Sequence, residues 1–169
     1  MPSNIEMHLS LNSRQAGLIQ GESQSVLHPD EIEISSFQWS ASTPTTRSAD
    51  GSFKGGRATV SELTFTKHLD RATSQLFLHL VNNLIIKTAK FSISKSTGGS
   101  KPEDFFTIEL TKVFVSSIRM SRVSEDVEKA EETITLSFDE VNMNYMMQGK
   151  DGLLKHGGSA PYKLTTGSS

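Results

Sequence analysis

The chain has 169 residues, no cysteine, a formal net charge of −2 and a pI near 6.2. That length suits one domain able to bury a core without staples. The missing cysteines exclude disulfides, thiol nucleophiles and thiolate metal sites, and the slight acidity argues against nucleic acid or an anionic membrane as a main partner.

No segment approaches the ~18 consecutive apolar residues of a membrane span. Met1-Pro-Ser-Asn4 passes straight into the alternating run Ile5–Leu11, without the pattern of a signal peptide. Strand candidates then follow at Glu31–Ser40 and Val60–Lys67. In the latter, Leu63 and Phe65 share one face while Glu62, Thr64 and Thr66 share the other. Past Asp70 the period changes to that of a helix over about 73–82. Thr73 is placed at its N-cap, and Leu76, Phe77, Leu80 and Val81 on one face. Further strands are read at Thr88–Lys95, Asp104–Met120 and Thr133–Met146, with a Gly98-Gly99 hairpin between the first two. The expected architecture is mainly β: a bent-strand barrel of two packed sheets with one flanking helix, spanning residues 1–146. Residues 147–169 form a tail with at most one short strand, around Tyr162–Leu164.

Three runs change phase partway. Ile32 and Ile34 occupy one parity and Phe37 and Trp39 the other; Ile134, Leu136 and Phe138 give way to Val141, Met143 and Tyr145. A two-residue period changes face only through an extra residue or a bend, so irregularities are expected near Ser35-Ser36 and Asp139-Glu140. The third run, Asp104–Met120, would extend about 55 Å as one straight strand, so it must bend or project. Around its middle, Val113 and Val115 oppose Phe114, and two apolar faces require burial on both sides, by the domain itself or by another subunit. The polar segment 40–56 reads as an extended loop, serving either as a floppy surface segment or as a contact arm.

Chemistry is sparse. None of the five histidines (His8, His28, His68, His79, His156) has the spacing of helical metal ligands, and no Gly-x-Ser-x-Gly elbow or phosphate-cradling glycine motif occurs. The pairs Asp30-Glu31 and Glu103-Asp104 read as solvated charges flanking strands, because adjacent residues on a strand point to opposite faces. These patterns imply no catalytic residue, cofactor or metal, and favour a structural or binding role.

Four blocks in order resemble the haemolysin-coregulated protein (Hcp) family, the tube subunits of bacterial type VI secretion systems. They are His28–Trp39; Leu63–Leu76 with its Lys-x-x-Asp and helix start; Ile108–Ile118 with Val115-Ser-Ser-Ile118; and Ile134–Tyr145. The chain departs from many relatives in having Thr73-Ser74 for Ser-Pro at the helix start and Asn82-Asn83 for Gly after it.

The resemblance implies a non-enzymatic subunit that forms hexameric rings. These stack into a conduit expelled by sheath contraction and able to carry effectors. Its implied partners are other copies of itself, a spike, the sheath and secreted effectors. It would be made in the bacterial cytoplasm and pushed out folded, without a signal peptide. Candidate subunit contacts are Arg47, Asp50, Phe53, Val113 and Val115. If Phe37 and Trp39 face the core, then Ser36, Gln38 and Ser40 face away, as candidate lumen residues. The alternative is a monomeric β-domain that binds a small ligand or carbohydrate on an aromatic platform of Phe37, Trp39 or Tyr145.

Overall fold

A computed structural model describes residues 5–96, 102–122, 125, 130–148 and 153–164; the expected Gly98-Gly99 hairpin lies outside them. The elements are β1 (Ile5–Ser13), β2 (Gly17–Ile19), β3 (Ile32–Glu33), β4 (Ser36–Gln38), β5 (Ala41–Ser42), β6 (Thr45–Arg47), β7 (Phe53–Gly55), β8 (Thr59–Val60) and β9 (Leu63–His68). Then come α1 (Ala72–Val81), β10 (Ile86–Lys95), β11 (Glu103–Arg122), β12 (Ala130–Gln148) and β13 (Leu154–Lys163). The main sheet is antiparallel, ordered β2-β1-β10-β11-β12-β9-β4, with β13 on β12 and β3 on β1.

The segment from Ile32 to Gln38 joins the two ends of this sheet. β3 pairs with β1, whereas β4 pairs with β9. Between them Ile34 N–H donates to Met7 and Ser35 N–H to Thr66. Hydrogen bonding therefore runs all the way round, and the irregularity expected at Ser35-Ser36 is the point where this strand changes partner.

The long β11–β12 hairpin turns the barrel's other corner. Buried residues run Ile108, Leu110 and then Val113, Val115 on β11, against Leu136, Phe138 and then Val141 on β12. Both strands change parity at the same level, so the pairs Thr111↔Glu140 and Val113↔Phe138 keep one register across the kink. Lys112 stands at that level with φ +56°, a left-handed backbone that turns the strand without breaking the ladder. Below the kink β12 pairs with β9, and above it with β13. One hairpin thereby serves both packed layers.

The core is built from the inward parity of these strands. Phe91 packs between Phe37 and Phe65, at ring-centroid distances of 4.7 and 5.0 Å, among Leu9, Leu63 and Ile134.

The inward row of β9 ends in a charge. Lys67 follows Leu63 and Phe65 on the buried face and is fully enclosed, opposite the equally buried Glu132. Its ammonium donates to Asp70 at 2.9 Å and to the His68 carbonyl at 3.0 Å, and stands 3.6 Å from Glu132. Asp70 in turn accepts from the Ala72 N–H, at the start of α1. The Lys-x-x-Asp spacing thus ties the strand end to the helix start.

The helix begins one residue earlier than expected, and Thr73 is not its cap. Thr73 lies in the first turn, where its hydroxyl accepts from the Asp70 N–H. The buried face is Ala72, Leu76 and His79, with Leu80 half-buried; Phe77 and Val81, expected inward, are exposed. At the other end Asn83 adopts φ +51° and the Leu84 N–H returns to the His79 carbonyl, the left-handed stop that Asn tolerates.

Two further expectations are corrected. Segment 40–56 is not a loop: β5–β8 and β6–β7 form ladders that continue the β4–β9 pairing into one two-stranded ribbon. The tail carries a ten-residue strand, β13, rather than a short one. Its Gly157, Gly158 and Pro161 mask the strand pattern. Pro161 is tolerated on this outer strand, and a Cβ at Gly157 would lie 2.8 Å from the Tyr145 ring.

Candidate functional site

The ribbon is exposed along its whole length, at every residue from Ser40 to Thr59. Arg47 stacks its guanidinium 4.2 Å from the centroid of Phe53, which is itself 70% exposed. At the turn, the Asp50 carboxylate accepts from the hydroxyls of Ser48 and Ser52 and from the Ser52 N–H. Those bonds, led by that of Ser48, hold its carboxyl well below the usual carboxylate range. Arg47, Asp50 and Phe53 therefore come together at one ordered tip, and Asp50 organises the turn instead of pairing with Arg47.

Val113 and Val115 do not belong to that surface. They are 0% and 5% exposed and sit in the chain's own core, which corrects their assignment as subunit contacts. The kink at Lys112 explains the misreading. It moves the inward parity from Leu110 to Val113, so the domain itself covers the apolar face.

Ser36, Gln38 and Ser40 are exposed, and Phe37 and Trp39 pack against the core. The Trp39 indole N–H donates to the Ser61 carbonyl at 3.0 Å, so neither aromatic is a free platform. The neighbouring strands extend the polar row sideways. Ser36 and Gln38 pair with Thr66 and Thr64, which pair with Thr133 and Thr135. The result is an outward face of hydroxyls and one amide, without a charge among these six residues.

The largest feature missed in the sequence lies under the segment preceding β3. His28 is wedged between Glu31 and Asp104, each at 2.7 Å from one ring nitrogen. The hydrogen bond to Asp104, then that to Glu31, raises its pKa to about 9, against the opposing cost of burial. His8 stacks on it with ring centroids 4.9 Å apart, and burial, with the neighbouring His28, lowers the His8 pKa below its ordinary value. One residue from each acidic pair read as strand-flanking, Glu31 and Asp104, thus converges on one imidazolium, while Asp30 pairs with Arg71. Nothing in the local period shows this, because Asp104 is 76 positions from His28. His79 is satisfied: its Nδ1 lies 2.7 Å from the Gln75 carbonyl and its Nε2 2.7 Å from the Ser13 hydroxyl.

A closed β-wall with a two-stranded ribbon thrown outward and a polar strand face has the form of an assembly module. Comparison with known proteins identifies which kind. The family model described as "Type VI secretion system effector, Hcp" matches residues 8–145. Protein hcp1 of Pseudomonas aeruginosa is 31% identical over 146 residues, covering 86% of this chain and 88% of that protein. Among solved structures, "a type six secretion system protein" superposes with a TM-score of 0.80 at 27% identity, over 95% of this chain and 96% of that one. Hcp1 of Escherichia coli shares the fold, with a TM-score of 0.75 at 17% identity over 95% and 99% of the two chains. The chain belongs to the Hcp family and is a type VI secretion tube subunit. The ligand-binding alternative gains no support.

Proposed function

We propose that the chain forms hexameric rings that stack into a tube, which the contractile sheath drives outward beneath a spike and which carries effectors in its lumen. The folded subunit leaves the bacterial cytoplasm with the tube and needs no signal peptide. The ribbon carries this reading. It is a two-stranded projection exposed from Ser40 to Thr59, with an ordered aromatic and cationic tip, and such a surface suits contact with another copy. Ring closure requires a heterologous interface, one face of each subunit against a different face of the next. Ser36, Gln38 and Ser40, with the threonine rows beside them, supply the lumen face. Uncharged hydroxyls wet such a wall and hold passing cargo only weakly. Arg47, Asp50 and Phe53 belong to the contact between copies.

Size-exclusion chromatography with light scattering tests the assembly: the expected species is about six times the 18.5 kDa chain mass. A stable monomer at high concentration would overturn it. Gln38→Arg tests the lumen assignment: rings should persist while cargo retention changes, and unchanged retention removes Gln38 from the lumen.

A further inference from the structure

Between β2 and β3 the chain crosses the outer face of β1, β10 and β11, reaching His8 on the first through Ser23 and Asp104 on the last through His28. This segment is folded on itself at its neck. The Gly21 N–H donates to the Asp30 carbonyl, the Ser23 N–H to that of Glu31, and the Asp30 N–H to that of Ser23. Its apolar anchors, Ile19 and Ile32, are buried just outside its two ends, whereas its own Val26 and Leu27 are exposed. The bonds that fasten it to the barrel are polar. The Ser23 hydroxyl lies 3.0 Å from His8 Nε2, and His28 Nε2 lies 2.7 Å from Asp104. Arg71 donates to the Gly21 carbonyl at 2.7 Å and meets Asp30 at 3.3 Å. The segment can therefore lift without drawing a core side chain into water.

The surface beneath it is polar and poorly satisfied. Ser92 stands opposite His8 and Ser94 opposite Asp104, both buried. Their hydroxyls and His8 Nδ1 have no partner among the described residues, and lifting the segment gives all three water. The two stacked imidazoles then set the balance. His28 is held as an imidazolium by Glu31 and Asp104, so a proton on His8 places a second positive charge 4.9 Å away. The other charged groups around the stack do not cancel it. Glu6, Glu31 and Glu33 attract that proton, but burial and His28 outweigh them. Glu22, on the segment itself, is exposed; Arg71 is engaged by Gly21 and Asp30, and Lys95 lies over the Phe105 ring.

We propose that the segment from Gly21 to Asp30 is an acid-released flap, expelled from the outer face of β1, β10 and β11 when His8 gains a proton beside His28, while the barrel beneath stays folded. Closed, the flap favours a charged His28 and a neutral His8; open, both rings return to the ordinary value near 6.5. Opening therefore becomes rarer as pH falls from about 9 toward 6.5. Below 6.5 it rises again, by up to about tenfold per pH unit, until His8 is charged in the closed form too.

The chain has no cysteine, so Ser92→Cys places a single thiol under the flap of the full protein. Its labelling by an aromatic disulfide that reacts in acid, normalised at each pH to the same chain in urea, reads the opening. The pH stays above 5, clear of the ordinary carboxylate range. Labelling should be slowest near pH 6.5 and several-fold faster at pH 5, with Trp39 fluorescence unchanged. Adding His8→Gln should abolish the acid rise. If that variant fails to fold, His28→Gln removes the other charge of the stack and should flatten the same limb from a higher baseline. An acid rise that persists in either folded variant, labelling that is flat between pH 6.5 and 5, or labelling that accelerates only as Trp39 reports unfolding of the barrel overturns the flap.

Discussion

Replacing Asp104 by Asn removes the stronger of the two carboxylate contacts on His28, and the cost should depend on pH in a defined direction. His28 is raised from 6.5 to about 9 by Asp104 and Glu31. At 1.36 kcal/mol per pKa unit, this represents on the order of 3 kcal/mol favouring the imidazolium in the fold. A group whose folded pKa lies above its unfolded value stabilises the fold fully below the unfolded value, here 6.5, and loses that contribution as pH rises through 9. Asp104 is the larger contributor, so Asp104→Asn should remove at least half, about 1.5–2 kcal/mol or more, at pH 6. The difference between the two proteins should fall below about 0.5 kcal/mol by pH 10, where His28 is neutral in both. Urea unfolding followed through the single Trp39, at one protein concentration and several pH values, measures both. A gap of the same size at pH 6 and pH 10 would refute the ion-pair account and reduce the Asp104 contact to packing.

His8 titrates in the opposite sense. Its pKa is lowered by burial, so its contribution is complete above 6.5 and falls as the medium acidifies; His8→Asn should flatten the acid side of the stability profile, and an unchanged acid limb would show that other groups set it. Lys67→Met leaves the buried Glu132 and Asp70 without their cation and should cost about 3–5 kcal/mol in urea midpoint analysis, much of it recovered when Glu132→Leu is added. Failure of the second change to recover stability would mean that packing, not charge, holds this end of the barrel. Lys112→Gly should be neutral or stabilising by up to about 1 kcal/mol, whereas Lys112→Val should cost about 1–2 kcal/mol, since only the former accepts a left-handed backbone without strain. Equal effects of the two would place the kink elsewhere.

The candidate site was legible in part. The parity of Phe37 and Trp39 correctly sent Ser36 and Gln38 outward, because a strand alternates whatever it is paired with. The ribbon read as a loop, since its strands are two or three residues long and polar on both faces, leaving no alternation to detect. Its order comes from cross-strand hydrogen bonds and the Asp50 turn, which no one-dimensional pattern records.

The sequence by itself determined the bends, the single helix and the family. Phase changes at Ser35 and Asp139, and four ordered blocks, are properties of residues adjacent along the chain. Only the tertiary structure decided which partner each face meets. It sent Val113 and Val115 into the chain's own core, turned Phe77 outward, and closed Glu31 and Asp104 on His28. The physical reason is range. Alternation specifies that a residue has a side, whereas burial, ion pairing and pKa depend on what other strands bring to that side from tens of positions away.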